Sequence, residues 1–117
     1  CADAFNPKTI RGSAGAALRV PLAAEASWAA AAPRLADLNV VVADAGAGAV
    51  DHLAVESWAE TCLVVGAEAG LTDDLLGALG ALRATRVRID VDSSVESLNA
   101  AVAGSYLLLD ARRRRLG

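Results

Sequence analysis

The sequence is poor in aromatic side chains, which make up 3% of its 117 residues, and it contains no methionine. Hydrophobic residues still account for 55% of the chain, so a core must be built from closely packed alanine, valine and leucine. Small core side chains favour helices lying on a parallel sheet over a β-sandwich, which needs larger side chains. The length allows one domain with one hydrophobic core.

Cysteine and histidine are also scarce. Cys1 and Cys62 cannot build a disulfide framework, and with His52 as the single histidine we predict no metal site. No apolar run reaches the roughly 20 residues that span a bilayer, and no signal segment opens the chain. We therefore expect a soluble, cytoplasmic protein with no membrane partner. Because the chain starts at Cys1 without a methionine, we expect it to be part of a longer protein.

The net charge of −3 argues against nucleic-acid binding through a general positive field, although basic residues do cluster locally. Arg112 to Arg115 stand in a row near the end of the chain. The simplest interpretation is a solvated helix end, favoured by the helix dipole.

Local signals predict an alternation of helices and strands. Asn6 and Pro7 start a helix that runs to about Leu18, and a second helix spans about Ala23 to Ala32, where Pro33 either closes it or starts a further turn. Short apolar runs predict strands at residues 39–43, 61–66 and 87–89, and residues 44–51 are interpreted as a loop. Residues 52–59 are ambiguous, with a helical turn as one interpretation. Thr72 is the expected N-cap of a helix from about Asp73 to Arg83.

The last helix is predicted to begin near Val95, because Ser93 and Glu96 have the spacing of a capping box. One face of it is expected to be buried: Leu98, Val102, Tyr106 and Leu109. Small residues should let another backbone approach closely: Ala100, Ala101, Ala103 and Gly104. Ser97 and Asn99 are either local caps, which the segment alone favours, or they mark a polar group nearby.

This alternation predicts an α/β fold with a mainly parallel sheet flanked by helices. Ligands of such sheets bind beyond the carboxyl ends of the strands, where loops begin at Asp44, Gly66 and Asp90. The Gly66 loop lacks the P-loop pattern, and Glu68 would repel phosphate. This loop suits a cationic or hydroxyl-bearing ligand, or else it is an ordinary strand-to-helix turn with an exposed glutamate.

Three segments resemble the SpoU-type RNA 2′-O-ribose methyltransferases of the SPOUT superfamily. LVVGAEAGLTDDLL at residues 63–76 is similar to the second motif of that family, and VESLNAAVAGSYLLLD at residues 95–110 is similar to the third. FNPKTIRGSAGAALRVPL at residues 5–22 resembles the segment that follows the first motif. The resemblance covers most of the chain, with the segments in the order and spacing of the family.

The resemblance implies a C-terminal trefoil knot, a homodimer and a bound S-adenosylmethionine whose methyl group is transferred to a ribose 2′-hydroxyl of tRNA or rRNA. Gly66, Ile89 and Leu98 match positions whose backbones line the cofactor pocket. The polar positions around the reacting centre, which we predict to be catalytic, correspond to Glu68, Ser97 and Asn99.

The chain also departs from the family pattern. The first motif, whose arginine is associated with activation of the hydroxyl, is absent. Residues 1–117 are therefore expected either to form a methyltransferase domain without its N-terminal strand and helix or to belong to a degenerate member of the family. The second motif has a single residue between Glu68 and Gly70 where two are common. Asp90 stands where proline usually follows Ile89, and its carboxylate either tolerates the sulfonium cation or is simply solvated. Ser93 and Ser94 replace glycines.

Two alternatives use the same residues. A non-catalytic member of the family would keep the knot as a dimerisation or RNA-binding module without the reaction. A nucleotide-binding α/β domain of another kind is supported only by the strand-loop-helix pattern.

Overall fold

The computed structural model describes residues 3–24, 26–66, 71–92, 94 and 98–116. The chain divides into two compact units, Cys1–Pro33 and Arg34–Gly117. In the first unit, helix α1 spans Pro7–Gly12, and the Asn6 side chain accepts a hydrogen bond from the N–H of Lys8, as predicted for the N-cap. The helix does not continue to Leu18. Positive φ angles at Ala14 and Gly15, 52° and 82°, end it before a short 3₁₀ turn at Ala16–Leu18.

Helix α2 spans Trp28–Leu35, so the predicted start at Ala23 is wrong by five residues. Ser27 stands directly before the helix, and its Oγ accepts a hydrogen bond from the N–H of Ala30. Hydroxyl capping of this kind fixes the first turn, whereas alanine content alone does not specify where a helix begins. Pro33 lies inside the helix, which ends two residues later.

The second unit is built on a four-stranded sheet whose pairings are all parallel, in the order β2-β4-β1-β3. The strands are β1 (Asn39–Ala43), β2 (Val50–Asp51), β3 (Thr61–Val65) and β4 (Thr85–Arg88). The structure confirms β1 and β3 within one residue of their predicted limits. It also confirms the predicted parallel sheet flanked by helices.

Two strands differ from prediction for the same reason. The two residues of β2 lie in the stretch predicted to be a loop, and they are a strand because they pair with Val87 and Arg88 of β4. Strand β4 begins at Thr85, two residues before the predicted start, because Thr85 and Arg86 pair with Val41 and Val42. Neighbouring strands decide these limits, and periodicity cannot reveal a two-residue strand.

The sheet is covered on both faces at its centre. Val40, Val41 and Val42 of β1 are at most 4% exposed, and successive side chains of a strand point to opposite faces. On one face a core cluster forms from Val41, Trp58, Val87 and Leu107. Helix α3 (Asp73–Ala81) follows β3 in the chain and begins as predicted at Thr72, whose side chain accepts from the N–H of Leu75.

Helix α4 spans Ala100–Leu116, so it begins five residues after the predicted start near Val95. The capping box of Ser93 and Glu96 lies outside the described residues. The predicted buried face is also wrong, because Val102, Tyr106 and Leu109 are 44–63% exposed. The helix instead faces the sheet with Gly104 and Leu107, both buried, and a Cβ atom on Gly104 would lie 3.2 Å from Cγ2 of Val65.

The C-terminal half of α4 is held by Arg114. Its guanidinium donates to the main-chain carbonyls of His52, Leu53 and Val55, the last at 2.7 Å. These carbonyls belong to the turn after β2, which begins with a 3₁₀ helix at His52–Ala54. The four arginines are therefore not equivalent, because Arg114 joins two parts of the fold. None of the described helices has the length and apolar character needed to cross a membrane.

We expect Leu107→Ala to lower the free energy of unfolding by about 2–5 kcal/mol, because it leaves a cavity between α4 and the sheet at a fully buried position. The neighbouring Leu108 is 61% exposed, so Leu108→Ala should change stability by no more than about 0.5 kcal/mol. Urea denaturation of both variants measures the difference. Equal losses would contradict the orientation of α4.

Candidate functional site

A cavity of about 620 Å³ opens at the carboxyl ends of β1, β3 and β4, where the first turns of α4 close its side. Three strand ends contribute Ala43 to Ala45, Val65 with Gly66, and Val87 to Val91. The start of α4 and the two residues before it contribute Leu98 to Ala100, Ala103 and Leu107. This is the position at which ligands bind to parallel sheets, and the volume lies in the range of small-molecule sites.

Four of the six predicted site residues line this cavity. Gly66, Ile89, Leu98 and Asn99 come from three different parts of the chain, and the fold brings them together. Glu68 and Ser97 lie outside the described residues. The roles of all six stay predictions.

Asn99 is the N-cap of α4. Its Oδ1 accepts from the N–H groups of Ala101 and Val102, at 2.9 and 3.4 Å, and its main-chain carbonyl accepts from Ala103. The preference for a local cap is therefore confirmed at this residue. The cap uses the oxygen of the side-chain amide, and the amide nitrogen is the group suited to donate to a ligand in the cavity.

Asp44 and Ala45, at the start of the loop at residues 44–49, form a further wall, and the sequence assigned neither of them a role in the site. Asp44 follows β1 directly, and its Oδ1 accepts from the N–H of Gly46 at 2.8 Å. Its Oδ2 accepts from Nε of Arg86 at 2.7 Å. An aspartate immediately after a buried strand was the available signal, but its arginine partner is 42 residues away in sequence.

These contacts hold the Asp44 carboxylate in its charged form. The hydrogen bond from Gly46 is the largest cause lowering the pKa of Asp44 below its usual 3.8, and the hydrogen bond and charge of Arg86 add to it against the opposing effect of burial. The Asp44 carboxylate is therefore charged at neutral pH, and the Arg86 guanidinium beside it balances that charge.

Asp90 and Arg88 line the cavity beside Ile89. Asp90 is exposed, whereas the guanidinium of Arg88 donates to the carbonyl of Ala49 at 2.9 Å. The lining thus combines carboxylates, a guanidinium and apolar surface from residues such as Val65 and Leu107. Within the described part of the chain, no group of three or more potential ligands is arranged to bind a metal ion.

Capping by Asn99 can be separated from any further role. Asn99→Ala should lower the free energy of unfolding by about 1 kcal/mol, and Asn99→Ser should restore most of it because serine is also a good N-cap. Thermal or urea denaturation measures this difference. If serine and alanine are equally destabilising, the side-chain cap is not what stabilises the start of α4.

The lowered pKa of Asp44 predicts a pH-dependent contribution to stability. A carboxylate that binds its proton more weakly when folded stabilises the protein above its usual pKa of 3.8, and this contribution is lost as pH falls through the lower pKa of the folded state. Asp44→Asn should therefore be less stable than the parent at pH 5–7, and the two should converge at the acid end of a urea series. A constant difference at every pH would contradict this origin.

The chain was compared with known proteins in sequence and structure. None of the curated proteins matches it significantly in sequence. Among solved structures, it is similar to one described as the crystal structure of an RNA 2′-O ribose methyltransferase, with 29% identity and a TM-score of 0.73. The match covers all of this chain but 44% of the other, so the chain spans less than half the length of that protein.

A family model described as the SpoU rRNA Methylase family matches residues 1–109. This match includes two of the three segments on which the resemblance was based and all of the third except its last residue, Asp110, and it confirms that prediction. The chain therefore belongs to the SpoU rRNA methylase family.

Proposed function

We propose that the protein is an RNA methyltransferase that uses S-adenosylmethionine and modifies a ribose 2′-hydroxyl of tRNA or rRNA. The observation that carries this proposal is the meeting of Gly66, Ile89, Leu98 and Asn99 around one cavity at the strand ends of a SpoU family chain. The similarity to an RNA 2′-O ribose methyltransferase supports the reaction class, and the nature of the RNA rests on the family resemblance.

The residues of the cavity fit the proposed cofactor. Apolar side chains and the Cβ-free Gly66 can accept a flat ring system close to the backbone, and the exposed carboxylate of Asp90 can face a cation. The guanidinium of Arg88 is a suitable partner for a carboxylate. When bound, the cofactor would supply a methyl group on a positively charged sulfur.

The chain itself would have to orient the ribose and help remove the proton of its hydroxyl, which is weakly acidic. Asn99 is proposed to take part in orientation, and the cap that fixes its side-chain amide at the edge of the cavity supports this role. Glu68 and Ser97 are proposed to complete the polar group around the reacting centre. Their contribution rests on the family resemblance.

The trefoil knot and the homodimer belong to the same proposal. Exposed apolar side chains on α4, Val102, Tyr106 and Leu109, support dimerisation, since a face of this kind gains by being covered. The close approach of α4 to β3 at Gly104 supports a helix that packs in a confined space.

Calorimetric titration with S-adenosylhomocysteine tests the cofactor site. We expect the parent protein to bind it and Ala103→Leu to lose binding, because Ala103 lines the cavity and the larger side chain would fill it. Ala101→Leu is the matched control on the same helix, at an exposed position outside the cavity lining, and it should bind like the parent. Absence of binding by the parent protein would overturn the cofactor proposal.

Incubation of total RNA with the full-length protein and S-adenosylmethionine, followed by mapping of ribose methyl groups, tests the reaction and identifies the modified nucleotide. New 2′-O-methyl groups are expected with the parent protein and not with Ala103→Leu. Binding of RNA without any methyl transfer would support the non-catalytic alternative instead.

A further inference from the structure

The loop at residues 44–49 is tied to β4 by several independent contacts. The N–H of Asp44 donates to the carbonyl of Val87 at 2.9 Å, and Arg88 holds the carbonyl of Ala49 at the far end. Between these points, Arg86 binds the Asp44 carboxylate through Nε, and its Nη2 is in contact with the same oxygen. Two of the three connections use arginine side chains of one strand.

The ion pair between Asp44 and Arg86 is partly buried and lies close to Gly46. The Asp44 side chain is 20% exposed, and a charge-assisted contact of this kind is stronger than one in open solvent. A Cβ atom on Gly46 would lie 3.0 Å from Nη2 of Arg86 and 3.1 Å from Oδ1 of Asp44, so glycine is the residue that fits between them. Oδ1 of Asp44 accepts from the N–H of Gly46 and Oδ2 accepts from Arg86, so each carboxylate oxygen has its own donor.

The position of the pair connects it to the candidate site. Asp44 and Ala45 line the cavity. Arg86 does not line it and can influence it only through its contact with the Asp44 carboxylate. Ala43 at the end of β1 is held in the sheet by its pairing with Val65 and Val87. Asp44 is the first residue beyond that pairing, and a shift of Asp44 would move one wall of the cavity. Beyond the strand, the wall is held by the main-chain hydrogen bond from Asp44 to Val87 and by the contacts of the Asp44 side chain with Gly46 and Arg86.

We infer that Arg86 is a positioning residue that sets the affinity of the cavity for its cofactor by fixing Asp44 and the wall at residues 44–45. The inference rests on the proposed function, because it takes the cavity to be the cofactor site. The ion pair between Arg86 and Asp44 affects the affinity for the cofactor, whereas other residues align the ribose. Loss of the pair therefore raises KM for S-adenosylmethionine and leaves kcat at saturating cofactor nearly unchanged.

Arg86→Gln and Asp44→Asn test this inference in the intact protein. Asparagine can still accept the hydrogen bond from Gly46, so this substitution removes the ion pair and keeps the turn. Each variant should bind S-adenosylhomocysteine about tenfold more weakly by calorimetry, the loss expected for a charge-assisted contact. The double variant should bind S-adenosylhomocysteine no more weakly than the single variant with the lower affinity, because both changes remove the same interaction.

Gly46→Ala provides an independent variant that leaves both charges in place. Its Cβ would press on the guanidinium, and it should weaken binding in the same direction as Arg86→Gln. Arg86→Lys should recover part of the affinity, since an ammonium keeps the charge but cannot reproduce the planar guanidinium contact. Arg113→Gln, on an exposed arginine of α4 outside the cavity lining, is the matched control and should bind like the parent.

Several results would overturn the inference. Variants that lose thermal stability but bind S-adenosylhomocysteine as the parent does would show that the pair is only structural. Additive losses in the double variant, or a fall in kcat with unchanged KM, would exclude a shared role in cofactor affinity. If the parent protein itself binds no S-adenosylhomocysteine, the proposed function fails and this inference fails with it.

Discussion

The packing of α4 against the sheet at Gly104 is the contact on which the rest of the second unit depends. Because Gly104 has no side chain, Val65 of β3 can lie against the helix at a distance that a Cβ atom would reduce to 3.2 Å. This approach brings Leu107 into the core beside Val41 and Val87. It also places the first turns of the helix at the strand ends, where they close the side of the cavity.

One orientation of α4 thus determines both a buried and an exposed surface. With Leu107 turned inward, Val102, Tyr106 and Leu109 remain accessible, although their spacing is typical of a helix face that becomes buried. Arg114 reinforces the orientation from the other end of the helix by binding three carbonyls of the turn that follows β2. The buried His52 lies in the same region, with its ring edge-to-face against Tyr106 at 5.3 Å between centroids.

Polar groups around the cavity are fixed by local structure before any ligand is present. Asn99 is held because it caps α4, and Asp44 is held by the turn at Gly46 and by Arg86. Groups that are already oriented lose little conformational freedom when a ligand binds. The same contacts that stabilise the ends of these elements therefore also prepare the wall of the proposed site.

Sequence reasoning was most reliable where a signal is local. Asn6 and Thr72 were identified as N-caps because a cap depends on a side chain and the backbone two or three residues away. Strands β1 and β3 were found because short, mainly apolar runs rich in β-branched residues suit a sheet covered on both faces. Gly66, Ile89, Leu98 and Asn99 were selected by the family resemblance, and the fold places them around one cavity.

The sequence by itself therefore determined the presence of three strands, the starts of two helices, the parallel sheet and the family. Only the tertiary structure decided which face of α4 is buried, where β2 and β4 begin, and that Arg86 holds Asp44. Periodicity shows that residues share a face, but a neighbouring strand selects the face that is buried. A pair separated by 42 residues has no local signature, because it exists only once β1 and β4 lie side by side.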